Sequence, residues 1–225
     1  MSQLNVTTLK HESAGVNNIT LDANGRVGIG TNNPTYNLTV AGNGTSGLCA
    51  MAFVDESNSN KEWRIDQSDG ALRFTESGVA ERMRIDSAGR VTMPYQPAFM
   101  AHAGSQQTSS SAEKVIFGTV LLNNGGGYNN STYRFTASVA GIYRFSASAM
   151  TWNNYHDRWQ FRKNGSSVGD QIYASSVSGS YSRLCYEIII QLNANDYVEV
   201  WRNVQSDGST GTHPDYRHFS GQLIG

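Results

Sequence analysis

Two stretches of the sequence combine residue types that could do chemistry. In "GRVGIG", residues 25–30, Gly28 and Gly30 have the spacing that opens a dinucleotide-binding loop, in which glycines let the backbone approach a pyrophosphate. In "WNNYHD", residues 152–157, aromatic, amide, imidazole and carboxylate groups are adjacent. That mixture suits a sugar, because rings stack on its C–H faces while polar groups bond its hydroxyls.

The glycine stretch does not have the surroundings of a phosphate loop. Such a loop needs a third glycine and a following helix, but position 33 is Asn and Pro34 leads into "TYNLTVAG". In that segment Tyr36, Leu38 and Val40 alternate with polar residues, which is the period of a strand. The two glycines are therefore expected to permit a tight turn and close packing, with no nucleotide bound.

The composition predicts an all-β protein. Gly, Asn, Ser and Thr are abundant, β-branched and aromatic residues are frequent, and long helix-forming runs are few. Charged residues are few and balanced at a net charge of −1, so we expect no nucleic-acid partner. No apolar stretch approaches the ~20 residues of a membrane span, so we expect no membrane insertion.

Few features suggest catalysis or a bound cofactor. Cys49 and Cys185 are far apart, and two free thiols are expected rather than a disulfide. The adjacent His156 and Asp157 are not by themselves a catalytic arrangement, and we find no nucleophile elbow, paired-carboxylate motif or metal-ligand spacing. We therefore expect no enzyme activity and no cofactor. The N-terminus lacks the apolar core of a signal peptide, so we expect cytoplasmic synthesis without Sec export.

A short motif repeats in the first part of the chain. "LDANGRV" at 21–27 and "IDSAGRV" at 85–91 share an apolar residue, then Asp, then a later Gly, and "IDQSDGALRF" at 65–74 is a looser copy. Asp hydrogen-bonds the backbone of a turn and Gly supplies positive φ, so each copy is expected to form a β-hairpin turn with a bulge. A further turn is expected at 76–80.

The strands between these turns should each have one thin apolar face. Arginines alternate with apolar positions through residues 60–93, so these strands cannot bury a core alone. Self-association around an axis would cover the apolar faces and hide the sheet edges. The alternative is a small monomeric sheet packed on a second domain.

The character of the chain changes near "MPYQPAFMA", where Pro94 and Pro97 make a stiff link. After this link "GIYRFSASAMTW" and "LCYEIIIQL" alternate apolar with polar residues over long strands, which predicts a β-sandwich. We therefore expect an N-terminal docking segment at 1–18, a β-rich shaft of hairpins at 19–96 and a β-sandwich head at 97–225.

The shaft region resembles a known repeat. "LDANGRVGIGTNNPTYNLTVAG" is similar to the repeat of many phage tail-fibre and virion-appendage proteins, in which a hairpin ending in Gly-Arg-Val runs into Gly-Ile-Gly-Thr-x-x-Pro and a Leu-x-Val strand. "MRIDSAGRVTM" at 83–93 resembles the same element. Bacterial surface adhesins carry similar repeats. The resemblance implies a fibre or appendage of a virion.

The head resembles the C1q-like globular domain, a relative of the tumour-necrosis-factor-like jelly roll. The residues at the family's intervals are Phe117, Asn123, Tyr128, Phe135, Gly141, Tyr143 and Phe145. "NANDYVEVWR" and "FSGQLIG" resemble the family's last two strands. The resemblance covers 98–225 and implies a ten-stranded jelly roll assembled as a homotrimer.

Two features of that family have no clear counterpart in this sequence. Family trimers often bind calcium near the axis, but we find no matching carboxylate cluster in the sequence, so structural calcium is left open and its ligands are unknown. Ala147 stands where the family usually has an aromatic residue, so the packing of that strand is expected to differ.

Jelly-roll topology predicts where the connecting turns lie. If the last strand ends beside the shaft, the turns at 153–159, 175–180 and 205–215 gather at the opposite tip, and loops on a rigid scaffold are where binding usually occurs. The candidate ligand-binding residues in these turns are Asn153, Asn154, Tyr155, His156, Asp157, Asp207, His213 and Asp215. Trp152 and Trp159 flank the first turn and are expected in the core or between subunits.

Together these features favour a trimeric bacteriophage virion fibre or spike whose head binds a host-surface receptor, a glycan by the residue types of its turns. Residues 1–18 would dock onto other virion proteins, which places the protein in the virion. One alternative is a structural virion protein, such as a head decoration or baseplate component, that recognises no host molecule. Another is a bacterial C1q-like surface adhesin.

Overall fold

The computed structural model describes residues 7–12, 18–42, 49–105, 107–109, 111–152, 156–204, 210–212 and 216–225. These residues form β-strands and no α-helix, so the all-β prediction is confirmed, and nothing among them could cross a membrane as a helix. The chain divides into two compact units, unit 1 (Met1–Pro94) and unit 2 (Tyr95–Gly225).

Unit 1 begins with a small sheet in the order β1-β2-β3-β4. Its strands are β1 (Thr8–Leu9), β2 (Ile19–Leu21), β3 (Val27–Ile29) and β4 (Leu38–Val40). Gly28 lies in β3, where a Cβ would be 2.7 Å from the carbonyl oxygen of Thr31, and Gly30 has a φ of 71° with the Ala41 carbonyl against it. The glycines therefore permit a turn and close packing, as predicted, and the segment after them is a strand.

Two copies of the repeat form the same clamped hairpin turn. Asp22 Oδ1 accepts hydrogen bonds from the backbone N–H groups of Asn24 and Arg26 at 2.9 and 2.8 Å, and Arg26 Nε donates to Oδ2 at 2.7 Å. Asp86 accepts the equivalent three bonds, two of them from Arg90. These bonds lower the pKa of both aspartates, that from the arginine backbone N–H most, because they favour the charged carboxylate.

Glycine decides the length of each turn. Gly25 and Gly89 have φ values of 76° and 79°. Each is the left-handed residue that ends a three-residue hairpin loop with a bulge. In the looser copy the loop contains only Asp69 and Gly70, both with positive φ, and the register continues without a bulge. The hairpin is confirmed there but the expected bulge is wrong, because Asp-Gly forms a two-residue turn that matches the twist of its strands.

The second sheet of unit 1 is an antiparallel meander in the order β5-β6-β7-β8-β9. Its strands are β5 (Cys49–Asp55), β6 (Lys61–Ser68), β7 (Ala71–Glu76), β8 (Ala80–Ile85) and β9 (Val91–Thr92). The turn expected at 76–80 joins β7 to β8. The register puts nine apolar residues on one side, here called the meander face: Met51, Phe53, Trp63, Ile65, Leu72, Phe74, Met83, Ile85 and Val91. Phe53 is 55% exposed, so this apolar face lies open in the single chain.

Unit 2 is a sandwich of two antiparallel sheets. The front sheet has the order β13-β10-β22-β16-β19 and the back sheet the order β14-β15-β20-β17-β18, with β12 paired to β20. Strands β11 and β21 form a separate two-stranded sheet. The bounds are β10 (Ala98–His102), β11 (Gln107–Ser109), β12 (Glu113–Lys114), β13 (Thr119–Asn124), β14 (Tyr128–Asn129), β15 (Arg134–Thr136), β16 (Gly141–Trp152), β17 (His156–Lys163), β18 (Ser166–Ser175), β19 (Tyr181–Leu192), β20 (Tyr197–Val204), β21 (Thr210–Thr212) and β22 (His218–Leu223).

The core of unit 2 lies between these sheets and is rich in aromatic rings. Phe99 stacks on Tyr128 at 4.8 Å between ring centres and meets Phe219 edge-on at 4.7 Å. Trp159 is fully buried, which confirms a core position for this residue. Ala147 is also buried, in register with Phe219, so the position that departs from the expected aromatic lies within the core.

Candidate functional site

Two of the three connections expected at the tip of unit 2 leave the sandwich at the same end. Tyr181 is the register partner of Trp152, and Ser175 is the partner of His156, so the connections at 153–155 and 176–180 begin side by side. At the opposite end Leu223 N donates to the Pro97 carbonyl at 3.0 Å. We call the first end the tip and the second the base.

Most of the predicted ligand-binding residues fall outside the described part of the chain. These are Asn153, Asn154, Tyr155, Asp207, His213 and Asp215, and their contribution to a site stays a prediction. The backbone of His156 is described and begins β17, so this residue lies at the tip end of a strand.

Asp157 was expected as an exposed loop carboxylate, and the structure places it elsewhere. It lies on β17 with no exposed surface, and Trp159 Nε1 donates to its Oδ2 at 2.9 Å. Burial raises the pKa of this carboxyl group because desolvation penalises the charge. The reason for the difference is that β17 begins at His156, so strand alternation turns Asp157 inward together with Trp159 and Phe161.

Asp157 belongs to a buried polar network below the tip. Arg202, fully buried on β20, places Nη1 3.8 Å from Asp157 Oδ2 and donates from Nε to Glu113 Oε1 at 2.9 Å. Arg217 Nη1 donates to Gln107 Oε1 at 3.1 Å. Burial lowers the pKa of Arg217 to about 10. Through Arg202 the contacts join β12, β17 and β20, and Gln107 of β11 holds Arg217.

Sequence reasoning missed this network, although the pattern contained a signal. In "YVEVWR" the inward-facing positions of β20 are Val198, Val200 and then Arg202, so an arginine takes the place of an apolar core residue. An arginine in such a position needs acidic and amide partners, which come from distant parts of the sequence.

Two exposed aromatic rings lie near the tip. Tyr181 is 64% exposed at the start of β19, and Tyr216 is 47% exposed just before β22. Neither residue was singled out in the sequence. Such rings, beside loops of amides and hydroxyls, can stack on the apolar faces of a sugar.

The outer surface of the front sheet is apolar with a central ion pair, and we call it the front face. Its apolar residues, all between 37% and 68% exposed, are Met100, Leu122, Ile142, Ile189 and Ile224. Arg144 Nη2 lies 2.6 Å from Glu187 Oε2 at its centre, beside a depression of about 290 Å³. A flat apolar sheet surface with one polar pair suits contact with another protein surface.

Both cysteines are free, as expected, with Cys185 exposed on β19. Within the described residues, no group of three or more His, Cys, Asp and Glu side chains could hold a metal ion.

Two five-stranded antiparallel sheets in this order, closed over an aromatic core, define a jelly roll. Residues 98–224 match the family model described as C1q domain, and the chain therefore belongs to the C1q domain family. Domains of this family are non-enzymatic and generally form homotrimers.

Several known proteins are similar to this chain over the same region. Complement C1q tumor necrosis factor-related protein 5 of Rattus norvegicus is 30% identical over 146 residues, which is 59% of this chain and 55% of that protein. Complement C1q tumor necrosis factor-related protein 3 of Homo sapiens is 25% identical over 129 residues, 57% of this chain and 51% of that protein. The chain thus spans about half the length of these relatives. The globular domain of zebrafish complement 1qA is similar in structure, with 18% identity, a TM-score of 0.48, and coverage of 58% of this chain and 98% of that domain.

Proposed function

We propose that this protein is a trimeric bacteriophage virion fibre or spike whose C1q head binds a host-surface glycan at its tip. The observation that carries the proposal is the polarity of unit 2. The connections at 153–155 and 176–180 begin side by side at one end, while Pro97 and Leu223 meet at the other end. Such a unit can be held at its base and present loops to an external ligand.

The trimer is supported by apolar surface in both units. The front face and the meander face are open in the single chain, and contiguous apolar patches of this kind mark surfaces that are covered by a partner. Three heads on one axis would raise the effective concentration of weak glycan sites and make attachment firm. Residues 1–18 would supply the docking segment to other virion proteins, which gives the protein its place in the virion.

The proposal is tested by binding the labelled full chain to a panel of intact bacteria that includes the host. Saturable binding to one strain, competed by the polysaccharide extracted from its surface, is the expected result. Replacing Tyr155 and His156 by Ala should weaken this binding roughly tenfold, the loss typical of a binding hot spot. The matched control replaces Tyr36 and His11, an exposed tyrosine and a histidine of unit 1, by Ala and should bind as the unchanged protein does.

The rival functions make different predictions in the same assay. A structural virion protein would bind no strain although it is trimeric and enters the virion. A bacterial adhesin would be found on the surface of the cell that makes it. Either result would contradict the attachment function proposed here.

A further inference from the structure

The outer surface of the back sheet carries an ordered set of arginine–aromatic stacks. The Cζ of Arg162 lies 3.9 Å from the centre of the Trp201 ring, and that of Arg134 lies 4.1 Å from the Tyr197 ring. Arg158 lies over Tyr173 at 5.6 Å. We call these six residues the arginine face.

The register of the back sheet explains why these side chains share one surface. Arg162 is the partner of Glu199, and Arg158 is the partner of Asn203, on the neighbouring strands β17 and β20. The residues that alternate with them, such as Trp159 and Phe161, point into the core and are fully buried. The guanidinium groups therefore lie on the outward side of a rigid sheet.

The charges of the arginine face are only partly neutralised. Its carboxylate, Glu199, is buried and already bound to Lys114 Nζ at 2.8 Å and Arg134 Nε at 2.7 Å. Among the described residues no carboxylate forms an ion pair with Arg158 or Arg162. With the Gln160 amide in the orientation that satisfies both its atoms, Arg162 donates from Nε and Nη2 to the Gln160 oxygen at 2.9 Å, and this neutral partner leaves the charge of Arg162 uncompensated. The charges of Arg158 and Arg162 can therefore attract an external anion, although the chain as a whole has a net charge of −1.

Stacking prepares these arginines for a particular kind of anion. A ring beneath a guanidinium restricts its movement, and the planar N–H groups of arginine match carboxylate or phosphate oxygens in pairs. Arg158 and Arg162 are four residues apart on one strand, about 13 Å at the rise of a β-strand. An anion repeated along a polymer can meet both groups.

Between these arginines the surface offers amides rather than further cations. Gln160 lies between them on β17, where its side-chain amide is within hydrogen-bonding distance of Ser167, Gln171 and Arg162. Amides donate and accept hydrogen bonds and suit sugar hydroxyls, whereas a nucleic acid requires more cations along its phosphate backbone. We infer that the arginine face binds an acidic polysaccharide whose repeating carboxylate or phosphate groups pair with Arg158 and Arg162.

This inference rests on the proposed glycan-binding function but places the acidic ligand on the side of unit 2, on residues different from those of the tip. The position is compatible with a trimer formed through the front face, because the front and back sheets present opposite outer surfaces. Three copies would then present three arginine faces outward.

The test uses the full chain and immobilised alginate, a polymer of carboxylated sugars, with dextran as the neutral probe. Binding to alginate that weakens with added salt, and no binding to dextran, is expected. Arg162→Gln should weaken alginate binding at least ~fivefold, and Arg162→Lys should lose most of that affinity because a lysine keeps the charge but not the planar fork. Arg90→Gln removes one equally charged, exposed arginine of unit 1 and should have no effect.

Three results would overturn the inference: no alginate binding, an equal loss in Arg90→Gln, or equally tight binding of single-stranded DNA of the same charge. The tip variant Tyr155→Ala with His156→Ala should leave alginate binding unchanged, which separates the two sites. If alginate binding depends on Arg162 while no bacterium is bound, the arginine face stands and the attachment function fails. Circular dichroism and molar mass establish that each variant is folded and assembled as the parent is.

Discussion

At the scale of single residues, two aspartates of unit 2 show how surroundings decide the behaviour of the same side chain. Asp196 lies in the turn before β20, where Lys163 Nζ is 2.8 Å from its Oδ2 and Asn164 donates to its Oδ1 at 2.7 Å. These partners lower its pKa to about 2. Burial has the opposite effect on Asp157 and raises its pKa. The charged form of Asp196 therefore stabilises the fold, whereas burial disfavours the charged form of Asp157.

The substitution Asp196→Asn should make the stability of the head less dependent on pH in acid. The pKa of Asp196 is lower in the folded chain than its ordinary value of 3.8, so its stabilising effect is present above that value and is lost as the pH falls toward 2. The free energy of unfolding, measured with urea at pH 7 and pH 2.5, should differ between parent and variant mainly at pH 7. Glu56→Gln, at an exposed carboxylate of unit 1, is the control. A difference that is equal at both pH values would contradict this assignment.

The surroundings of Asp196 could be predicted from the sequence, and those of Asp157 could not. A turn with Asp196 between Asn193 and Tyr197 is readable from "NANDY", since Asx residues bond to nearby backbone. The burial of Asp157 could not be predicted in the same way. It depends on β17 beginning at His156, within the segment expected as a turn, and on Arg202, which is more than forty residues away in the sequence.

At the scale of elements, the repeat of unit 1 uses one turn design twice. The Asp that opens the turn, the Gly that ends its loop and the Arg that returns to the Asp are at identical spacings in both copies. A local motif of this kind is predictable because all its bonds lie within five residues. The looser copy shows where this prediction fails. Its loop is the two-residue pair Asp69-Gly70, so Asp66 lies outside the turn and instead accepts a hydrogen bond from Arg73 on the next strand at 2.6 Å.

The turn between β8 and β9 should weaken when Gly89 acquires a side chain. A Cβ at Gly89 meets nothing within 4 Å, so the whole effect of Gly89→Ala comes from the positive φ of 79° and amounts to about 1 kcal/mol. Hydrogen exchange followed by mass spectrometry over residues 80–92 should accelerate by ~fivefold. Gly89→Asn is the control and should cost less, because Asn tolerates the left-handed region. If both variants exchange at the parental rate, backbone strain is not what selects glycine here.

At the scale of the whole molecule, what the sequence could predict depended on whether a feature is local or shared between strands. The sandwich and its tip end followed from strand periodicity and antiparallel connection, and the family signature added the strand count. The arginine face could not be predicted, because Arg134, Arg158 and Arg162 are dispersed in the sequence and only register brings them together with their rings. Composition, with a net charge of −1, even suggested that such a surface was absent.

If copies assemble through the front face, a single positive charge introduced there should weaken their association. Ile189→Lys places a cation next to Arg144 in the centre of that face, and buried like charges oppose association. Sedimentation equilibrium should show the mass falling from three copies toward one. Val177→Lys is matched, since Val177 and Ile189 are both 68% exposed, and it should leave the mass unchanged. An unchanged mass in Ile189→Lys would exclude the front face as the contact between copies.

The neighbouring positions of β10 and β22 have a further consequence. The first and last strands of unit 2 lie side by side, with Ala98 opposite Gln222, so the chain enters this fold and leaves it at neighbouring points of the base. The head is thus a cassette that recombination can exchange between carriers without cutting through its core. If the tip binds a ligand and the front face forms the trimer, as proposed, mutations can accumulate in the tip loops while the front face keeps its sequence, so ligand preference and subunit association can evolve separately.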